Sequence, residues 1–67
     1  MTNSNNDKRI MSLIDYYKAL GNNYMKWANW YKRKGKIDQY RHERKQARKN
    51  FLQAQRLRRK LERRLIT

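Results

Sequence analysis

Two apolar runs, one on each side of Gly35, constrain what this chain can fold into more than any other feature. Their residues recur mostly at steps of three and four, which is the spacing of one face of an α-helix. The first run consists of Ile10, Leu13, Ile14, Tyr17, Leu20, Tyr24, Trp27 and Tyr31. The second consists of Ile37, Tyr40, Ala47, Phe51, Ala54, Leu57, Leu61 and Leu65, with Arg44 and Arg58 at two expected apolar positions. Because both runs have helical spacing and the chain contains no proline to interrupt a helix, we predict an all-α fold.

Gly35, in the stretch "KRKGK", predicts the turn between two helical arms. Arm one spans about residues 8–34, the turn 34–37 and arm two about 37–66. Arms of matching length joined by a short turn favour an antiparallel helical hairpin. In that hairpin the numbers of facing residues sum to about 71, which sets large side chains against smaller ones. The expected pairs are Tyr31 with Tyr40, Tyr24 with Ala47, Leu20 with Phe51, Tyr17 with Ala54 and Ile10 with Leu61.

Arm one carries a helix-breaking signal of its own at Gly21, Asn22 and Asn23. Glycine and asparagine tolerate a left-handed backbone and often end helices, so we expect arm one to be kinked or broken near residues 21–23. The alternative is three helices over about 8–20, 23–34 and 37–65. The polar residues 1–6 are expected to form a flexible N-terminus, and residues 7–67 a single small helical domain.

The stretch "YMKWANWYKRKGKIDQYRHERKQA" resembles the helix-turn-helix unit of tetratricopeptide repeats. The match comprises the aromatic Tyr24, the small Ala28, Tyr31, Gly35 at the turn and Ala47 in the return helix. The stretch departs from the repeat at Tyr40, where the repeat has a small residue. The resemblance implies the same hairpin.

A hairpin of this size has a thin core, because a short chain buries a small share of its surface on folding. The chain has no cysteine, so disulfides and thiolate metal sites are excluded. Several hydrophobic residues also fall outside the predicted seam: Met11, Tyr16, Met25, Trp30 and Leu52. We therefore expect the hairpin to close into a bundle, either as a homodimer or larger assembly or by packing on a partner.

Positive charge is the strongest compositional feature. The chain has 19 Lys and Arg against 5 Asp and Glu, for a formal net charge of +14. Residues 1–35 hold 7 basic and 2 acidic residues, while residues 36–67 hold 12 and 3, so the second half carries most of the excess. This charge favours a polyanionic partner: nucleic acid, DNA or RNA, or else an acidic protein surface.

The basic residues of arm two project away from the predicted seam and make a long cationic face that only Leu52 interrupts. That face comprises Arg41, Lys45, Arg48, Lys49, Arg56, Arg59, Lys60 and Arg63. The turn region adds Lys32, Arg33, Lys34 and Lys36. Trp27 and Tyr31 are assigned to the seam, whereas Trp30 lies beside the basic turn and is the aromatic residue on which a base is expected to stack.

The sequence favours a non-enzyme without metal or cofactor. The five carboxylates are scattered, and none pairs with another at helical spacing. His42 lies between Arg41 and Glu43 on a polar face, and no phosphate-binding glycine loop or metal-ligand spacing is found. No apolar stretch approaches the roughly 18 residues of a membrane span, and the N-terminus does not resemble a signal peptide. A cytoplasmic location is expected, with the nucleus or a packaged particle left open.

The leading hypothesis is a small nucleic-acid-binding protein with little sequence specificity, acting in packaging or as a ribonucleoprotein component. The alternative is a small protein-interaction module, an assembly factor or inhibitor that docks on an acidic partner protein. A peptide that binds membrane surfaces ranks last, because the chain lacks a strong apolar face outside the seam.

Overall fold

A computed structural model describes the backbone of residues 2–66 and the side chains of residues 6–64. It contains two α-helices, α1 (Thr2–Arg33) and α2 (Ile37–Ile66). They pack side by side along their length, and the Cα atoms span 52 × 16 × 11 Å. The predicted all-α helical hairpin is therefore confirmed, and α2 has the bounds expected of arm two.

The turn between the helices has the geometry of a Schellman motif. The Lys36 backbone N–H donates to the Tyr31 carbonyl (2.9 Å), and the Gly35 N–H donates to the Lys32 carbonyl (3.1 Å). Both bonds satisfy carbonyls that the end of a helix leaves without partners. They require a left-handed residue at position 35, and Gly35 has a φ of 74°. Gly35 therefore ends α1, as the sequence predicted.

The helices meet along a seam with a seven-residue repeat on each side. On α1 the seam positions are Ile10, Ile14, Tyr17, Gly21, Tyr24, Ala28 and Tyr31. On α2 they are Tyr40, Glu43, Ala47, Asn50, Ala54, Leu57 and Leu61. Steps alternating between three and four keep one face of each helix against the other, as in a coiled coil. The buried residues of the described side chains are mostly small: Ile14, Gly21, Ala28, Ala47 and Ala54.

Contacts between the helices confirm the expected register. Arg64 Nη1 lies 3.6 Å from Asp7 Oδ1, and Lys32 Nζ lies 5.7 Å from the centre of the Tyr40 ring. In both pairs, the residue numbers sum to 71 or 72. Gly21, rather than the neighbouring Leu20, is the residue that faces Phe51.

Of the kink or break expected near residues 21–23, the break is wrong, and so is the three-helix alternative, because α1 is one helix from Thr2 to Arg33; the kink stays a prediction. Gly21 is a close-approach residue. A Cβ atom added to it would lie 2.6 Å from Phe51 Cε1, so the Phe51 ring occupies the space that any larger residue would need. A glycine inside a helix costs only about 1 kcal/mol relative to alanine, too little to interrupt a helix that packs along its length.

The start of α1 and the seam of α2 also differ from expectation. α1 begins at Thr2, earlier than about residue 8, because its polar first residues contain no proline or glycine to oppose a helix; the flexibility of residues 1–6 stays a prediction. Arg44 and Arg58 are exposed rather than in the seam. Glu43 and Asn50 are the half-buried residues instead. The seam of α2 passes through Asn50, one residue before Phe51, whereas the apolar run in the sequence had placed Phe51 in the seam. The side chain of Leu65, predicted for the seam, lies outside the described residues, as does Thr67 at the end of the predicted domain.

Replacing Gly35 with alanine should lower the free energy of unfolding by about 1–2 kcal/mol, the cost of a left-handed backbone in a residue with a Cβ atom. No atom lies within 4 Å of the added Cβ position, so sterics with neighbouring groups contribute nothing. Urea denaturation at fixed protein concentration measures the change. Asn29→Ala, at an exposed helical position, is the matched control and should be neutral or slightly stabilising; an equal loss in both variants would contradict the role of Gly35.

Replacing Gly21 with alanine should have opposite effects in two backgrounds. With Phe51 present we expect a loss of about 1–3 kcal/mol, because overpacking displaces the ring. In a Phe51→Ala chain the same change should stabilise α1 by up to about 1 kcal/mol through helix propensity. A double-mutant cycle of unfolding free energies measures the coupling. The same sign in both backgrounds would show that Phe51 does not fill the space above Gly21.

Candidate nucleic-acid interface

The structure places most of the excess positive charge on one helix of the pair. Between residues 37 and 64, α2 carries eleven Lys and Arg against three acidic residues, a net charge of +8. α1 (Thr2–Arg33) carries six Lys and Arg against two acidic residues, a net charge of +4, and its middle part, residues 10–31, holds only Asp15, Lys18 and Lys26. The hairpin therefore has one strongly cationic helix and one helix whose middle part carries little charge.

Every predicted basic contact residue on α2 is exposed: Arg41, Lys45, Arg48, Lys49, Arg56, Arg59, Lys60 and Arg63. They occupy helical positions outside the seam, and we call them the cationic face. Residues seven apart, such as Arg41 and Arg48, are separated by about 10.5 Å along the helix axis. Over its 30 residues, α2 is about 45 Å long. The face therefore presents cations at regular intervals along the whole hairpin.

An open groove runs beside the cationic face, where α2 meets α1. Its volume is about 680 Å³. Met25, Phe51 and Leu52 supply apolar lining, and basic side chains line the same groove: Arg41, Arg44, Lys45 and Arg48. Leu52 is 45% exposed, so apolar surface and positive charge lie together. This combination can receive the flat, apolar part of a nucleotide while its phosphate is held at the edge.

Arg44 is the groove residue that the sequence reasoning missed, because it was assigned to the seam. Its Nη1 donates to the Tyr40 hydroxyl (3.2 Å), and its guanidinium carbon lies 5.9 Å from the centre of the Tyr40 ring. These contacts orient the guanidinium and leave it at the exposed edge of the groove. Its spacing from Arg41 and Arg48, three and four residues, was the signal that placed all three on one side of the helix.

The basic turn is joined to a pair of exposed tryptophans. Lys32, Arg33, Lys34 and Lys36 are all exposed. Lys34 Nζ lies 5.6 Å from the centre of the Trp30 ring, within the range of a cation–π contact. Trp27 and Trp30 make an edge-to-face pair with ring centres 6.1 Å apart. Both rings line a shallow depression together with Asn23, Lys26 and Arg33, so cations and aromatic surface converge at this end of the hairpin.

The assignment of Trp27 to the seam is wrong. Trp27 is 50% exposed, more than Trp30 at 39%, while the neighbouring Ala28 is fully buried. The helices approach closely where Gly21, Ala28 and the alanines of α2 meet, and an indole ring does not fit between them. Tyr31 is half-buried in the seam as expected, and its ring centre lies 5.2 Å from that of Trp30.

Two carboxylates contact arginines that are not among the predicted contact residues. Glu62 Oε1 lies 3.4 Å from Arg58 Nε, one helical turn away. Asp7 contacts Arg64 and joins the N-terminal part of α1 to the end of α2. Exposed ion pairs like these contribute little to stability, but both acidic groups are engaged away from Arg41, Lys45 and Arg48.

Metal binding needs several ligands in one place, and a membrane span needs a long apolar helix. In the part of the chain that the structure describes, no three His, Asp or Glu side chains gather closely enough to hold a metal ion, and His42 is exposed. Neither described helix has an apolar stretch long enough to cross a membrane. Comparison with protein-family models, curated proteins and solved structures finds no match. A functional proposal must therefore be based on the residues themselves.

Proposed function

We propose that this chain is a small nucleic-acid-binding protein that holds the phosphate backbone with little sequence specificity. It would act in the cytoplasm as a packaging or ribonucleoprotein component, by binding and not by catalysis. The observation that carries the proposal is the concentration of exposed cations along α2, beside an open groove with an apolar lining. The basic turn extends this surface to one end of the hairpin.

Binding by this surface would be driven mainly by release of the counterions that surround a nucleic acid. Each phosphate neutralised by Lys or Arg releases condensed cations, so affinity falls steeply as salt rises. Arginine contacts phosphate with a planar fork of donors and also stacks on bases. Backbone contacts of this kind carry no sequence information, which agrees with a helix that offers mostly cations. DNA and RNA share the phosphates that the face would bind.

The groove and the tryptophans would add contacts to unpaired bases. Phe51 and Leu52 offer apolar surface beside Arg48, and Trp30 offers an aromatic ring beside Lys34. A base in a duplex is stacked on its neighbours and cannot lie on either surface, whereas an unpaired base can. We therefore expect a single strand to contact more of this protein's surface than a duplex does.

An acidic protein surface is the second candidate partner, since the same exposed cations would attract carboxylates. The chain would then be a small assembly factor or inhibitor. The groove favours nucleic acid over this alternative, because its apolar lining lies directly beside the basic side chains. A homodimer or larger assembly is proposed as well, because hydrophobic side chains outside the seam, such as Tyr16 and Leu52, are exposed.

Replacing three residues of the cationic face, Arg41, Lys45 and Arg48, with glutamine should weaken binding to random RNA and DNA and flatten its salt dependence. Losing three phosphate contacts should reduce the slope of log K against log salt by about 2–3. Fluorescence anisotropy with labelled oligonucleotides at several salt concentrations measures both quantities.

The matched control replaces Lys8, Arg9 and Lys18 of α1 with glutamine, which removes the same charge from the other helix. Its slope should change much less. An equal change in both variants would show that net charge, and not the cationic face, governs binding. Wild-type protein free of nucleic acid that binds neither RNA nor DNA at low salt would overturn the proposal and favour the acidic-protein alternative.

Replacing Trp30 with alanine should weaken binding to single strands by about 1–3 kcal/mol, the usual worth of a stacked base. Binding to a blunt duplex should barely change, because its bases are not available for stacking. Comparing the two ligands on one variant separates stacking from any effect on folding or self-association. Equal losses on both ligands would show that Trp30 does not stack, and a greater loss of folding stability than of binding would make it a core residue.

A further inference from the structure

A second apolar stripe runs along α1 outside the seam. Leu13, Tyr16, Leu20, Trp27 and Trp30 occupy positions separated by steps of three and four, with Asn23 filling the one polar position. We call these five residues the lateral stripe. Tyr16 is 56% exposed, Trp27 50% and Leu13 43%. The stripe has the same seven-residue repeat as the seam, which is the pattern of a helix that packs on a second helix.

The lateral stripe lies on the flank of the hairpin opposite the arginine-lined groove. On helical wheels, the α2 positions that border this flank are Gln39, Gln46, Gln53 and Lys60. The border is therefore mostly neutral. With three charges on residues 10–31 of α1, the flank is the least charged surface of a chain whose net charge is +14.

The size of the stripe matches what a dimer needs. Four of the five side chains are between 39% and 56% exposed and present on the order of 100 Å² each, and Leu20 adds less, so the stripe presents up to roughly 500 Å² per chain. That is as large as the biggest apolar patch on a typical monomer. Covered on two chains at once, it would give an interface of about 1,000 Å², the lower bound for a specific complex.

We propose that the lateral stripe is a homodimer interface, in which α1 of one copy packs antiparallel on α1 of a second copy. The net charge of the chain favours a second copy as the partner on the lateral stripe. Two chains of +14 repel each other across any face that carries cations, and the lateral stripe is the flank where they can meet with both cationic faces pointing away. An acidic partner would gain nothing from a surface that lacks charge.

The order of residues along the stripe fits a dimer whose two-fold axis passes near residues 21 and 22. An antiparallel pairing in which residue numbers sum to about 43 sets Leu13 against Trp30 of the other copy and Tyr16 against Trp27. Leu20 then meets Asn23, and every apolar residue of the stripe has a counterpart. Such an interface uses the same patch on both chains, as two-fold dimers do. Trp30 lies at each end of the interface, beside the basic turn, where a base would stack on the side of the ring that Leu13 of the other copy does not cover.

The flanking charges favour the antiparallel direction over the parallel one. On the outer border of the stripe, Lys26 and Arg33 of one copy would lie opposite Ala19 and Ser12 of the other, which are small and neutral. A parallel dimer would instead place Lys26 beside Lys26 and bring the two basic turns together. Antiparallel packing thus keeps the basic turns at opposite ends of a four-helix bundle.

The first test measures mass in solution with protein that has been freed of nucleic acid. Sedimentation equilibrium over a range of concentrations should give twice the 8.4 kDa chain mass. Tyr16→Lys and Trp27→Lys should each shift the protein to the monomer mass. Asn29→Lys adds the same charge at an exposed position of α1 off the stripe, and should remain dimeric. A wild-type monomer at every concentration, or a dimer unaffected by both stripe variants, overturns the proposal.

The second test fixes the register and keeps the proposal testable if the lysine variants lose helicity by circular dichroism. The chain has no cysteine, so single cysteines can be crosslinked with a short bis-maleimide. Asn23→Cys, next to the two-fold axis, should crosslink to itself. Leu13→Cys should not, because its two copies would be about 26 Å apart along the axis.

A mixture of Leu13→Cys and Trp30→Cys chains should crosslink to each other, since these positions face across the interface. Self-crosslinking of Leu13→Cys as efficient as that of Asn23→Cys would show a parallel dimer and overturn the arrangement. Because these measurements use no nucleic acid, their failure is distinguishable from failure of the binding proposal, which rests on the cationic face and the groove; Trp30 is the residue that both proposals use.

Discussion

The close approach of the two helices is the constraint on which the rest of this structure depends. It is made possible by small residues at seven-residue intervals: Gly21 and Ala28 on α1, and Ala47 and Ala54 on α2, all of them buried. Where backbones come this near, large side chains cannot lie between them. The seam tyrosines are therefore only half-buried, and Trp27 and Phe51 lie at the edges. A narrow seam leaves most of the circumference of each helix available for other contacts.

The residues outside the seam differ in chemical character between the two helices. α2 has cations at successive turns, such as Arg41, Lys45 and Lys49, and like charges four residues apart destabilise a helix. A polyanion along the face would relieve this repulsion, so a ligand that binds the folded hairpin there would also stabilise it. The middle part of α1, residues 10–31, carries three charges and exposes aromatic and aliphatic residues. This part of α1 favours contact with another helix, and the stripe lies on a different flank of the hairpin from the groove.

The outline of the fold could be predicted from sequence because it depends on local signals. The apolar spacing indicated helices, Gly35 marked the turn, and matching arm lengths fixed the register to within one residue. Gly21 could not be interpreted in the same way, since a glycine in a helix marks either an end or a close approach, and Phe51 on the other helix decides which. The position of Trp27 was missed for a related reason.

Steps of three and four fit the seam and the lateral stripe of α1 equally well, so apolar character alone did not separate Trp27 from Ala28. The small residues seven apart were the available signal. For the candidate site, the exposure of the basic residues followed from sequence, whereas the groove did not, because Met25 and Phe51 come together only when the helices pack.

Because the seam is thin, a partner bound on one flank would also change the free energy of binding on the other. Few large side chains are buried between the helices, so the hairpin has little hydrophobic stabilisation of its own. A second copy on the lateral stripe and a polyanion on the cationic face would each stabilise the same helices. The ordering that one partner brings would then lower the cost of binding the other, without any change in shape. Positive cooperativity between the proposed dimerisation and the proposed nucleic-acid binding would then follow from the narrow seam, because few large side chains are buried between the helices.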